Sequence, residues 1–253
     1  MLENNSVTFE SYRHLPGYII NLDKDRLRYW ETRTRLVTLG FTNIHRREAV
    51  DFRKEDVNRE IRRMGVGHLE RFHNDAEIAC ALSHIKVMNH FLASKEEYCL
   101  VFEDDLIAHP NFKNLSSFDD INYGEFDVLM FGGVFVSYTK NEEKIFNLTE
   151  LKKAQNKQTH VDNANFWQTH AYLASREFAY KVVSRYRDWT GTEEYRYPQL
   201  DNYISGAPWF KTKLICDQSS AEKHRYRLHN EFAHNLCGIL FQDNNLPSNI
   251  QSY

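Results

Sequence analysis

Short apolar runs alternate with stretches of helical spacing along the first two-thirds of this chain. Gly17-Tyr18-Ile19-Ile20-Asn21-Leu22 reads as a first strand, and Asp23-Lys24-Asp25-Arg26 as a turn. From Arg26 to Leu39 the apolar residues Leu27, Trp30, Leu36, Val37 and Leu39 recur at roughly helical spacing, which predicts a helix with that stripe inward. Glu31 precedes Arg35 by four residues, a favourable helical pair, and Gly40 is placed as a C-cap. Phe41 to Val50 predicts a second strand ending near Asp51. A strand–helix–strand opening of this kind suggests a nucleotide-binding half of an α/β fold.

Residues 53–75 are rich in charge and read as a solvated loop or short helix, with Arg62 and Arg63 on its surface. Asn74 or Asp75 caps a further helix, with Glu77 placed as in a capping box. Ile78, Leu82, Ile85, Met88 and Leu92 form its core stripe. Glu77 and His84 lie two turns apart on one face. On spacing alone Glu77 is a capping residue and His84 a core-edge histidine. Downstream, Asp127 to Gly133 predicts a buried strand ending in a glycine pair, and 138–165 a flap or hairpin. Phe166 to Ala174 predicts a strand, Arg176 to Tyr186 a helix with Phe178, Val182 and Val183 inward, and Trp209 to Cys216 a last strand. A single domain spans 1–253, with 1–15 and 242–253 expected as loosely ordered ends.

The chemistry concentrates in one place. Tyr98-Cys99-Leu100-Val101-Phe102 is a buried strand, and it runs straight into Glu103-Asp104-Asp105. Ligands of open α/β sheets bind outside the carboxyl ends of strands. Three adjacent acids repel one another without a cation, and a hard divalent ion shared with substrate phosphates suits them. The plain alternative is a strand ending in a solvated acidic turn. Composition narrows the partners. The net charge of −3 gives no reason to expect nucleic acid. No stretch approaches the roughly 20 apolar residues of a membrane span, and Met1 to Ser6 lacks the pattern of a secretory signal. Cys80, Cys99, Cys216 and Cys237 are scattered and read as reduced thiols of a cytosolic-type compartment.

Several blocks together resemble glycosyltransferase family 25, the lipooligosaccharide and procollagen galactosyltransferase type. They are Tyr18-Ile19-Ile20-Asn21-Leu22-Asp23 with Arg26, the helix Glu77-Ile78-Ala79-Cys80-Ala81-Leu82-Ser83-His84, and Leu100-Val101-Phe102-Glu103-Asp104-Asp105. Asp127 to Gly133, Thr169-His170-Ala171-Tyr172 and Pro198-Gln199-Leu200-Asp201 extend the match, which covers roughly residues 17–205. Asp75-Ala76 and Gln168 stand where that family usually has glycine.

The resemblance implies a GT-A architecture, a Rossmann-like α/β sandwich with a mixed central sheet. It implies a metal-dependent inverting transfer of a sugar, galactose foremost, from a UDP-sugar to a saccharide, lipid-linked glycan or glycoprotein acceptor. Lipopolysaccharide biosynthesis is the setting this suggests. Under it, Asp105 is the principal ligand of Mn²⁺ or Mg²⁺, with Glu103 and, from the C-terminal part, His224. His229 stands behind His224 as a candidate. Asn21, Asp23, Arg26, Glu103 and Asp104 lie near the nucleotide, His84 faces the donor, and Asp201 is the general base. Trp189, Tyr195, Tyr197 and Trp209 are offered for stacking on acceptor sugars. The C-terminal Ile250-Gln251-Ser252-Tyr253 is no ER-retention signal, which argues against a lumenal collagen-modifying role. The expected location is cytoplasmic, with contact at the inner face of a membrane left open. Two alternatives stay in view: a degenerate GT-A domain that binds glycan or protein without catalysis, and a metal-dependent nucleotide-sugar phosphoesterase.

Overall fold

Strand β1 (Gly17–Asn21) is buried at every position and β3 (Tyr98–Glu103) at its four central ones, so each must lie between two covering layers. The computed structural model describes residues 7–54, 56–67, 74–108, 112, 121–135, 160–162, 166–167, 169–188, 200, 210–215, 225–228, 232–238 and 240–242. Among them the strands β2 (Ile44–Glu48), β5 (Val128–Met130), β7 (His160–Asp162), β9 (Ala171–Ser175) and β10 (Thr212–Ile215) join β1 and β3. The result is a seven-stranded sheet of order β2-β1-β3-β9-β5-β10-β7. β1 runs parallel to β2 and β3, whereas β9 runs antiparallel to β3 and β5. The sheet is therefore mixed, as expected of the GT-A class.

Strand alternation divides the core into two layers. Tyr18, Ile20, Cys99, Val101, Val128, Met130, Tyr172 and Ala174 face α3 (Val57–Met64), α4 (Asp75–Leu92) and α5 (Arg176–Asp188). Ile19, Leu100, Phe102, Leu129, Ala171 and Leu173 face α2 (Arg26–Leu39) and α1 (Phe9–Tyr12) on the other side. The connection from β1 to β2 thus passes over one face and that from β2 to β3 over the other. This makes the gap between β1 and β3 a topological switch point, where such sheets open a crevice. A four-stranded sheet, β11 (Arg225–Leu228), β12 (Phe232–Gly238), β6 (Gly132–Phe135) and β8 (Phe166–Trp167), and a ladder of β13 (Leu240–Gln242) with β4 (Leu106–Ala108) complete the described elements.

Several expectations hold. α2 has the predicted bounds and ends in Gly40 at φ 105°, a left-handed position that favours glycine. Asn74 caps α4 by accepting the Glu77 N–H at 2.9 Å. Phe178, Val182 and Val183 are buried on α5.

Others are corrected. The inward stripe of α2 is Tyr29, Thr32 and Leu36, while Leu27, Trp30 and Val37 are 72%, 56% and 46% exposed. The N-terminal arm is no loose end from Val7 onward. A Thr8–Ser11 capping box starts α1, and Val7 and Tyr12 are fully buried. Tyr12 and Phe9 pack into an aromatic cluster with Phe41, Phe112 and Phe131. The run 166–174 is two strands in different sheets, β8 and β9, and the C-terminal part holds β11, β12 and β13, which periodicity did not announce. Residues 189–199, 201–209 and 243–253 lie outside the described residues.

Candidate active site

The register of the sheet builds the site. Ile20 of β1 pairs with Glu103 of β3, so Asn21 and the acidic turn emerge side by side at the carboxyl edge. A cleft of about 650 Å³, counted out to solvent, opens there. Its floor is Ile20, Asn21 and Glu103 to Asp105, and its walls are Arg28 of α2 and Ala76, Ala79, Cys80, Ser83 and His84 of α4. Val50 and Phe52, after β2, close the third side. The Val50 N–H donates to Ser83 Oγ at 2.9 Å, which ties this segment to α4.

The three carboxylates do not point the same way. Asp104 and Asp105 turn towards α2. Arg28 Nη2 lies 2.7 Å from Asp104 Oδ1 and 3.4 Å from Asp105 Oδ2. Asn21 Nδ2 donates to Asp104 Oδ2 at 2.6 Å, and its Oδ1 accepts from Arg46 Nε at 2.8 Å. The turn's backbone is gripped as well: Thr32 Oγ1 donates to the Asp104 carbonyl at 2.8 Å and Arg35 Nη1 to that of Leu106 at 2.6 Å. Arg28, Thr32 and Arg35 are spaced i, i+4, i+7, a polar stripe on the inner side of α2. That spacing was readable in the sequence. The apolar pattern drew attention to the opposite face. The repulsion expected among the acids is thus met in part by a guanidinium. Burial still dominates at Asp104 and raises its carboxyl to about 6, against the lowering effect of Arg28 and Asn21.

Glu103 turns the other way, towards α4. His84 Nε2 lies 3.4 Å from Glu103 Oε1, and Thr169 Oγ1 donates to the same oxygen at 3.3 Å. Burial acts to raise the Glu103 carboxyl, but the hydrogen bond and charge of His84, the charge of His170 and the Thr169 hydroxyl together hold it below its usual value. On its far side, His84 Nδ1 is 2.9 Å from the Tyr172 hydroxyl. His84 is fully buried yet lines the cleft, so it is both a core histidine and a site residue.

Of the residues singled out from sequence, Asn21, His84, Glu103, Asp104 and Asp105 come together here. Asp23 and Arg26 stand apart from the cleft lining as an exposed pair, with Arg26 Nε 2.9 Å from Asp23 Oδ1. That hydrogen bond, and then the Arg26 charge, hold the Asp23 carboxyl below its usual value. Arg46 Nη2 lies 3.3 Å from Asp23 Oδ1 and bridges the pair to Asn21. Asp201, His224 and His229, like the aromatic residues offered for acceptor stacking, lie outside the described residues, although Leu200 is buried in the α4–α5 core. Arg28, Arg46, Cys80 and Tyr172 were not assigned roles from sequence.

A family model for glycosyltransferase family 25, described as an LPS biosynthesis protein, matches residues 14–201. The chain belongs to glycosyltransferase family 25. It is a glycosyltransferase, and all five cleft residues foreseen from sequence fall within the matched span. No curated protein matches it. Among solved structures, a glycosyltransferase involved in glycosylation of the major capsid of PBCV-1 is 11% identical, with a TM-score of 0.38 and coverage of 79% of this chain and 80% of that one. The inositol-1-phosphate CTP transferase from T. maritima is 13% identical, with a TM-score of 0.40 and coverage of 79% and 85%. Among the described residues of this family 25 chain, no helix is long and apolar enough to cross a membrane.

Proposed function

We propose that this family 25 enzyme transfers a hexose, galactose foremost, from a UDP-sugar to a saccharide or lipid-linked glycan, with inversion at the anomeric carbon. The observation that supports the reading most is the cleft at the β1/β3 switch point, floored by Asn21 and the acidic turn and walled by the first turns of α4. Such crevices are where nucleotides bind in α/β sheets.

The chain's own residues divide the work. Asn21 holds Asp104 and joins β1 to β2 through Arg46, which fixes the floor. Arg28 is the guanidinium of the cleft lining and compensates Asp104 and Asp105. His84, oriented by Tyr172, sets Glu103 in place. Asp201 would take the proton from the acceptor hydroxyl as that oxygen attacks.

The proposal includes a divalent cation, Mn²⁺ or Mg²⁺, which when bound neutralises the departing diphosphate as a Lewis acid. Asp104 fits poorly, because one of its oxygens is held by Arg28 and the other by Asn21. Asp105, held more loosely at 3.4 Å, fits best, whereas Glu103 turns towards α4 and joins it only after its side chain swings round. His224 is the third ligand in this reading.

The test is a panel of UDP-, GDP- and CMP-sugars, each with and without Mn²⁺, followed by the thermal midpoint. A ligand of the native state raises the midpoint by mass action. Stabilisation by one UDP-sugar that grows with Mn²⁺ is expected. Indifference to every nucleotide would favour the degenerate-domain alternative.

A further inference from the structure

Cys80 and His84 are four residues apart on α4 and so share one face, the one turned to the cleft. Across from them stands Glu103 at the end of β3. Among the described residues, these three side chains are the ligand-type groups that converge: their sulfur, nitrogen and oxygen atoms all lie within 4.8 Å of one another. The acids of the turn do not converge in this way with each other. We propose that Cys80, His84 and Glu103 form a binding site for a borderline-soft divalent ion, with Zn²⁺ as the chemical match.

The donor set decides the class of ion. Mg²⁺ and Mn²⁺ favour oxygen ligands, whereas a thiolate with an imidazole selects zinc. Geometry agrees. Metal–ligand arms of about 2.0–2.3 Å place neighbouring atoms of a tetrahedron roughly 3.3–3.8 Å apart. His84 Nε2 and Glu103 Oε1 already stand 3.4 Å apart. From the 4.8 Å limit the Cys80 thiol needs to close by at most about 1–1.5 Å.

The surroundings are built for a ligand role. The Tyr172 hydroxyl engages Nδ1 of His84, leaving Nε2 as the nitrogen turned to Glu103. Partners of this kind fix the orientation of metal-binding histidines. Thr169 holds the Glu103 carboxylate from its other side. With three protein ligands the fourth position faces the cleft, open to water or to an oxygen of a bound molecule. The guanidinium that compensates the rest of the acidic turn lies on the α2 side and contacts Asp104 and Asp105. This site shares only Glu103 with the one proposed for Mn²⁺ or Mg²⁺, and it does not depend on the transfer reading.

The experiment is a Co²⁺ titration of reduced, metal-stripped protein, read by absorption. One ion per chain is expected, with a thiolate-to-cobalt charge-transfer band that Zn²⁺ abolishes and Mg²⁺ leaves. Cys80→Ser should lose the band while Cys216→Ser keeps it, with circular dichroism confirming that both are folded. Tyr172→Phe should bind Zn²⁺ about 10-fold more weakly. No band on the folded wild type, or a band that survives in Cys80→Ser, would overturn the proposal. Unchanged zinc affinity in Tyr172→Phe would overturn the role given to that hydroxyl.

Discussion

The two flanks of the acidic turn solve the same problem by different means. On the α2 flank, Asp104 and Asp105 are buried beside a guanidinium, with Asn21 donating to the Asp104 carboxylate and Thr32 to the Asp104 backbone carbonyl. On the α4 flank, Glu103 is set among hydrogen-bonding groups of modest charge, His84, Thr169 and, one step behind, Tyr172. The first flank is a compensated charge cluster whose parts are costly to remove singly. The second is a polar network with room for a ligand to enter. Glu103 and Asp104 serve different ends because successive side chains leave a strand on opposite faces, and the turn that follows keeps Asp105 on the α2 side.

The sharpest break of this comparison is Arg28→Ala. It leaves two buried carboxylates without their guanidinium and should cost about 3–5 kcal/mol in denaturant unfolding. Adding Asp104→Asn to Arg28→Ala should recover part of that loss. Additive effects in the double variant would show that the pair is not coupled.

Next is pH. Burial, outweighing Arg28 and Asn21, places the Asp104 carboxyl at about 6, above its unfolded value near 4. Between those values the folded chain holds a proton that the unfolded chain has released, so this group's contribution falls as pH rises from 4 to 6. Two units correspond to about 3 kcal/mol. Asp104→Asn should remove that component, flattening the thermal midpoint over this window relative to wild type. An identical pH profile in the variant would place the titration elsewhere.

On activity, Asp105→Ala should lower sugar transfer on the order of 100-fold or more, because it removes a ligand of the cation proposed to neutralise the departing diphosphate, with the protein still folded by circular dichroism. Full transfer by a folded Asp105→Ala protein would remove this residue from the machinery. The smallest effect belongs to the other flank. Tyr172→Phe deletes one hydroxyl and leaves His84 Nδ1 short of its partner, at a cost of about 1–2 kcal/mol in the same unfolding measurement. A loss as large as that of Arg28→Ala would erase the distinction between the flanks.

Much of this was legible in the order of residues. The strand–helix–strand opening, the α4 cap at Asn74 and the run from Tyr98 into three acids all follow short-range rules, and those elements form as expected. The α2 stripe was misjudged because periodicity weighs apolar residues alone. The inner side of α2 meets carbonyls and carboxylates of the turn, so Arg28, Thr32 and Arg35 go inward and Leu27 and Trp30 outward. Tyr12 and Val7 were missed since their burial depends on residues distant in sequence, Phe41, Ile121 and Phe131. The convergence of Cys80, His84 and Glu103 is of the same kind: helical spacing gives the first two, but only the sheet brings the third.

The donor is proposed to sit in the β1/β3 cleft. Hydrogen exchange of the folded protein with saturating UDP and Mn²⁺ tests it most directly. Slowed exchange is expected in 20–28, 49–52, 76–84 and 103–106, the segments that line or border the cleft. Protection confined to other segments, or none while UDP raises the thermal midpoint, would contradict it.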